Sequence, residues 1–283
     1  MKRILVAGST GYLGSHIVKE LVNRKMDFKA IVRNVNKAKH LNLNPTQIIQ
    51  AQVTDATALK GICTGVEVVI STIGITRQKD DLTYMDVDYR ANKNLLDEAI
   101  KSGVKKFIYI SVLHGEHLKH LRICEAKERF VQALEDSGLE YCIIRPSGFF
   151  SDMGAFYDMA KQGRVYLFGD GSILANPIHG EDLAKVCVDS IFQKSKCIEV
   201  GGPEVCSHRD IAELAFRVLD KKPKITYIPD WIRKISLKLS AIFVSKARFG
   251  PIEFFLHVMA MDMCTNSYGN QTLKDFFIQK HNS

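Results

Sequence analysis

Short, uninterrupted apolar runs alternate with stretches in which apolar residues recur every three or four positions. Ile4–Ala7 is the first run. A glycine-rich turn and a helical pattern over Tyr12–Asn23 follow it, and Phe28–Val32 is the second run. Weak apolar character over 46–51 and strong runs over 66–71, 107–110 and 141–144 continue the series. Helical patterns occupy 87–101, ending at Ser102-Gly103 where a glycine takes the left-handed cap, and the stretch after 107–110 through Leu134. Strands apolar on both faces and separated by helices predict a doubly wound α/β parallel sheet covered on each side.

Beyond Arg145-Pro146 the alternation loosens. Short strands are predicted at 166–168 and Cys197–Val200, with helices over 181–192 and 207–219, the latter starting at a Ser207 cap with Asp210 in its first turn. The stretch 231–263 is helical in pattern, with Gly250-Pro251 expected to break it. The predicted division is a nucleotide-type domain over 1–150 and a smaller α/β substrate or lid lobe over 151–283, intimately packed, some of whose segments return to the first sheet.

The turn after the first strand reads Gly8-Ser9-Thr10-Gly11-Tyr12-Leu13-Gly14. Between a strand and a helix, such spacing has a specific physical use. The first glycine permits the tight turn, the second lets backbone approach a pyrophosphate, and the third lets helix and strand pack closely. The phosphate then meets unsatisfied N–H groups at a helix N-terminus. A Rossmann domain binding a nicotinamide dinucleotide is therefore expected. The second strand ends at Arg33, with Lys37 one turn onward, where an acid would repel a 2′-phosphate; this points to NADPH over NADH. Arg33 also reads as an ordinary solvated cation. Asp55 follows the third strand and has two readings, acceptor for the adenine amino group or helix N-cap. Thr72 and Gly74 end the fourth strand, where a small-residue loop passes beneath the dinucleotide.

Charge and cysteine content narrow the partners. The net charge is +8, yet acidic and basic residues alternate with no aromatic-interleaved basic block, so nucleic acid is not expected. Seven cysteines without a Cys-x-x-Cys pair read as free thiols in a reducing, cytoplasmic setting, with no metal site. No segment approaches ~20 uninterrupted apolar residues. From 231 to 252 the cations Arg233, Lys234, Lys238, Lys246 and Arg248 occur without an acid, around an apolar stripe of Ile235, Leu239 and Ile242 widened by Ile232 and Phe243. That stretch packs on the lobe, covers an acidic apolar substrate, or rests peripherally on an anionic membrane.

The glycine motif, the run from Asp88 through Leu96 and the run from Gly103 through Ser111 resemble the atypical, NmrA-like short-chain dehydrogenase/reductases. In such enzymes a Ser after the fifth strand and a Tyr four residues before a Lys form the catalytic set. The resemblance places Ser111 and Lys127 in those roles, Lys127 also holding the nicotinamide ribose, while the Tyr position is Ile123. Lys127 also reads as a helix-surface lysine. Tyr141 through Phe150, Leu167 through Gly171, Pro177-Ile178 and Ile198 through Pro203 narrow the resemblance to the 3,8-divinyl chlorophyllide 8-vinyl-reductase group. It implies hydride transfer to a tetrapyrrole or other conjugated acceptor, with Pro146 and Phe149 beside the cofactor. Phe149 and Phe150 either form an aromatic wall for the substrate or belong to the core. Ile123 keeps open a non-catalytic NAD(P)H-binding redox sensor or assembly protein.

Overall fold

The computed structural model describes residues 2–75, 82–243 and 246–282; the side chains of 241–248, among them Ile242, Phe243, Lys246 and Arg248, also lie outside the described residues. The first strand β1 (Ile4–Ala7) leads through the glycine loop into α1 (Tyr12–Asn23), then β2 (Phe28–Val32) and β3 (Ile48–Gln50). β4 (Val68–Ser71) is followed by a π-helical segment, Met85–Ala91, running directly into α2 (Asn92–Lys101). β5 (Lys106–Ile110), α3 (Arg122–Glu135) and β6 (Glu140–Pro146) complete the regular alternation.

The later chain adds α4 (Phe150–Lys161), β7 (Val165–Phe168), β8 (Leu174–Ala175), α5 (Gly180–Asp189) and β9 (Cys197–Val200). β10 (Cys206–Ser207), α6 (His208–Val218) and β11 (Ile225–Ile228) follow, then α7 (Asp230–Phe243), α8 (Lys246–Val258) and α9 (Leu273–Asn282). The predicted break at Gly250-Pro251 is corrected: α7 ends at Phe243, and Pro251 lies inside α8. Proline in the second turn removes one helical hydrogen bond, and α8 carries on through it.

The main sheet has seven strands in the order β3-β2-β1-β4-β5-β6-β9, with parallel register from β3 through β6. Every residue of β1, β4 and β5 is buried, as the continuous apolar runs predicted for a sheet covered on both faces. Strand order reverses at β1 and β4, so their carboxyl ends border the crevice where open α/β sheets take ligands. Those ends carry Gly8 and Thr72.

Compactness divides the chain into two units. Residues 1–145 with 183–198 form the first, and 146–182 with 199–283 the second, so a segment of the later chain belongs with the sheet. The second unit has its own core, in which Phe150, Phe156, Tyr157, Leu167, Phe216 and Phe277 pack together. Its β7 and β11 pair in parallel and its β8 and β10 antiparallel. The predicted cap of α6 is present as a reciprocal pair: Asp210 N–H donates to Ser207 Oγ at 3.1 Å, and Ser207 N–H donates to Asp210 Oδ2 at 2.9 Å.

Candidate functional site: the glycine loop and the Lys127 cluster

The glycine loop is held by close backbone contacts and by side-chain ties to main-chain carbonyls. Gly8 has φ +78°, and a Cβ there would lie 2.5 Å from Thr72 Oγ1. At Gly14 a Cβ would lie 2.1 Å from the carbonyl oxygen of Gly8, so helix and loop touch backbone to backbone. Gly11 caps α1; its N–H donates to Gly8 O at 2.9 Å, and a Cβ would stand 3.2 Å from that oxygen. Buried Ser9 donates its hydroxyl to Ile31 O at 2.7 Å, tying the loop to β2. The Thr72 hydroxyl lies within 3.1 Å of Ala7 O and 3.2 Å of Gly8 O, tying it to β4. No side chain caps the start of α1 and no acid occupies its first turn. Thr10 and Gly11 are exposed, Tyr12 is half-buried against His16, and Leu13 is buried. The result is a rigid cradle of N–H groups at the positive end of a helix, fitted to a pyrophosphate.

Arg33 and Lys37 are exposed beyond the end of β2, beside this cradle in the sheet order. Asn34 between them accepts from the N–H groups of Asn36 and Lys37 at 2.9 and 3.4 Å, which fixes the turn that presents both cations. Asp55 accepts from the Thr57 N–H at 2.8 Å and hydroxyl at 2.7 Å, and these hydrogen bonds hold its carboxyl below the usual range. Asp55 thus closes a local turn just ahead of the short helical turn Thr57–Leu59, whose N-cap is Ala56.

The second constellation is built from charges. Lys127 on α3 places Nζ 3.0 Å from Oδ1 of Asp88, a carboxylate with no exposed surface, in an ion-pair contact that lacks hydrogen-bond alignment. Asp88 Oδ2 accepts from the Ile75 N–H at 3.1 Å. Nζ also lies 3.5 Å from the Tyr109 hydroxyl and 3.4 Å from Ile110 O. Burial opposes the Lys127 charge, but the Tyr109 hydroxyl and Asp88 carboxylate outweigh it and raise its pKa. Burial raises Asp88 and Tyr109 as well, with Lys127 opposing both. The Ile75 N–H, donating to Asp88 Oδ2 at 3.1 Å, favours the ammonium–carboxylate form of the pair.

Gly74 makes the pairing possible, because a Cβ there would stand 2.8 Å from Asp88 Oδ1 and 3.2 Å from Lys127 Nζ. The π-helical segment supplies Asp88, and buried Asn92 satisfies the backbone that this geometry frees. Its amide donates to Asp88 O at 2.9 Å and to Val87 O and Ile73 O at 3.3 Å, while Oδ1 accepts from the Ser71 hydroxyl. Such wide turns recur at functional sites.

Ser111 belongs to a neighbouring network. Its hydroxyl donates to Glu128 Oε1 at 2.9 Å, and Glu128 receives a two-pronged Arg145 contact at 2.7 Å to each oxygen. The Ser111 proton is thus directed at Glu128, and the residue serves as a tie between β5 and α3. Ile123, one turn before Lys127, is half-buried and has no proton to give.

A family model described as NAD(P)H-binding matches residues 8–194, beginning at the first glycine of the cradle. The chain belongs to the NAD(P)H-binding family. It is 29% identical to the chloroplastic divinyl chlorophyllide a 8-vinyl-reductase of Arabidopsis thaliana, over 97% of this chain and 75% of that protein. It is 26% identical to the photosystem II assembly factor Ycf39 of Cyanophora paradoxa, over 98% and 87%. Among solved structures, an NADPH-dependent quinone oxidoreductase from Escherichia coli in complex with NADPH superposes with TM-score 0.76 at 20% identity, covering 99% of this chain and all of that one. A nucleoside-diphosphate-sugar epimerase from Staphylococcus aureus gives 0.77 at 17% identity, over 98% and 100%. These superpositions show a fold shared among NAD(P)-binding reductases and epimerases.

The two side chains of the aromatic pair differ in burial. Phe150 is 2% exposed and packs on His179 and Phe276, with ring centroids 5.6 and 5.7 Å away. It is a core residue of the second unit, which corrects its reading as a substrate wall. Phe149, the N-cap of α4, is half-buried, and Pro146 is buried at the end of β6. Sequence reasoning missed Asp88, Asn92, Tyr109, Glu128 and Arg145. One signal was available for two of them: Asp88 and Asn92 are polar residues four apart among Val87, Ala91 and Leu95, a spacing that puts them on one helical face turned inward.

Proposed function

We propose that the protein is an NADPH-dependent reductase of a conjugated acceptor, with a tetrapyrrole of the divinyl chlorophyllide class as the substrate. The observation that carries this reading is the intact phosphate cradle combined with Lys127 and, one turn before it, Ile123 in place of a phenol. Reduction of a vinyl group to ethyl adds one hydride and one proton across a carbon–carbon double bond. NADPH held by the glycine loop would supply the hydride, being oxidised to NADP⁺. When the double bond is conjugated with a macrocycle, charge developing on the second carbon spreads through the π system, so water suffices as the proton source. A positioned phenol, needed for an isolated ketone, is then dispensable.

In this reading Gly8, Ser9, Thr10, Gly11, Tyr12, Leu13 and Gly14 bind the pyrophosphate. Arg33, with Lys37, selects the 2′-phosphate through charge-assisted hydrogen bonds. Thr72 and Gly74 border the dinucleotide, and Lys127 presents a fixed positive charge for the nicotinamide ribose. Phe149 is the aromatic assigned to the substrate. The test is NADPH oxidation with divinyl chlorophyllide a, and in parallel with quinones and enones. The expected result is one NADPH consumed per vinyl group, with conversion of the pigment to its ethyl form.

A second reading, a cofactor-binding assembly factor, draws on the Ycf39 relatives and on Ile123. It predicts tight NADPH binding with no oxidation by any acceptor, and that result would replace the reductase reading.

A further inference from the structure

The helix α7 is amphipathic in the inverted sense. Its charged Arg233 is turned inward, 8% exposed, donating to Leu256 O at 2.9 Å and to Asp230 Oδ1 at 2.6 Å. Its large apolar residues are turned outward: Trp231, Ile235 and Leu239, one turn apart, are 61%, 46% and 49% exposed. Lys234 and Lys238 stand exposed between them. The acid that begins the helix, Asp230, is committed to Arg233 and, at 3.1 Å, to Lys234, and no acid follows until Glu253. No helix among the described residues is long and apolar enough to cross a membrane.

We propose that this face docks on an anionic lipid bilayer, with the three apolar side chains in the headgroup–acyl boundary and the lysines on lipid phosphates. An aromatic and two aliphatic anchors flanked by lysines match the chemistry of an interfacial helix. Size argues against a protein partner. The three side chains offer roughly 300 Å² of apolar surface, judged from the area such residues bury, whereas a stable pair of chains covers about 800 Å² on each. A bilayer needs only a few anchors and complementary charge. This inference is independent of the reductase reading, since it concerns where the protein resides and not what it reduces.

Trp231 is the only tryptophan in the chain, so its emission reports directly on this face. The experiment adds phosphatidylcholine vesicles, with or without phosphatidylglycerol, to the full chain at low salt, and repeats the titration with bromine-labelled acyl chains. The expected result is a blue shift and bromine quenching with anionic vesicles only. Leu239→Ser and Lys238→Glu should each weaken partitioning at least about fivefold, with NADPH binding and circular dichroism unchanged. Unchanged emission with anionic vesicles would overturn the proposal. So would a blue shift without lipid that grows with protein concentration, which would give the face to a second copy of the chain.

Discussion

The glycine loop and the Lys127 cluster both lie in the first unit, and they are specified in opposite ways. The loop is made of backbone: Gly8 and Gly14 are required because a Cβ would strike a neighbouring atom, and its side-chain ties run to main-chain carbonyls. The cluster is made of side chains drawn from distant segments, with Asp88, Tyr109 and Lys127 meeting over Gly74. Backbone constraints leave a local mark in the sequence, whereas buried charge pairs leave almost none. The difference also sets how each region should fail.

The largest effect is expected in the cluster. Asp88→Ala leaves Lys127 buried without its carboxylate and should cost about 3–5 kcal/mol, read by denaturant unfolding. Joining it to Lys127→Met should recover part of that loss, because an apolar pair no longer strands a charge. If the double variant loses the sum of what Asp88→Ala and Lys127→Met lose singly, the two residues are not coupled.

The cluster also makes a statement about pH. Lys127 is held charged by its neighbours, so it gives no break in stability near neutrality. Acid sensitivity should come instead from the second unit, where burial, weakly opposed by Asp262, pushes the His208 imidazole down from 6.5 to about 4. The unfolded chain takes up this proton below about 6.5 and the folded chain only near 4. Stability is therefore full above pH 6.5 and falls, by on the order of 3 kcal/mol, as pH drops from 6.5 to 4. Unfolding curves across that window should flatten in His208→Gln and keep their slope in Lys127→Met.

In the loop, Gly14→Ala should cost roughly 1–3 kcal/mol of stability through overpacking against Gly8. NADPH affinity should fall further than stability does, since the displaced backbone is the binding surface. Wild-type affinity in this variant would show that the close approach seen at Gly14 does not shape the site.

The same contrast explains what could be read in advance. β1, α1, β2 and the Ser207 cap carry their causes within a few residues, and they lie where the sequence places them. The π-helical segment departs from the ordinary helix that its periodicity predicts because its cause is non-local: Asn92 fills the widened turn and Asp88 meets Lys127. Phe149 and Phe150 look alike in sequence, and only the packing of His179 and Phe276 separates them. β11 is not legible because its partner β7 lies some sixty residues earlier, so the pairing leaves no local mark. Ser111 occupies the expected strand end, yet its hydroxyl is committed by Glu128, a buried acid whose partner Arg145 comes from the next strand.

The proposed preference for NADPH over NADH is assigned to Arg33. Fluorescence titration of wild type and Arg33→Ala with NADPH and NADH measures this directly. Wild type should prefer NADPH, and Arg33→Ala should weaken NADPH by about 10–100-fold, the value of a charge-assisted phosphate contact, while leaving NADH unchanged. Equal weakening of both cofactors, or no binding of either by the wild-type chain, would contradict it.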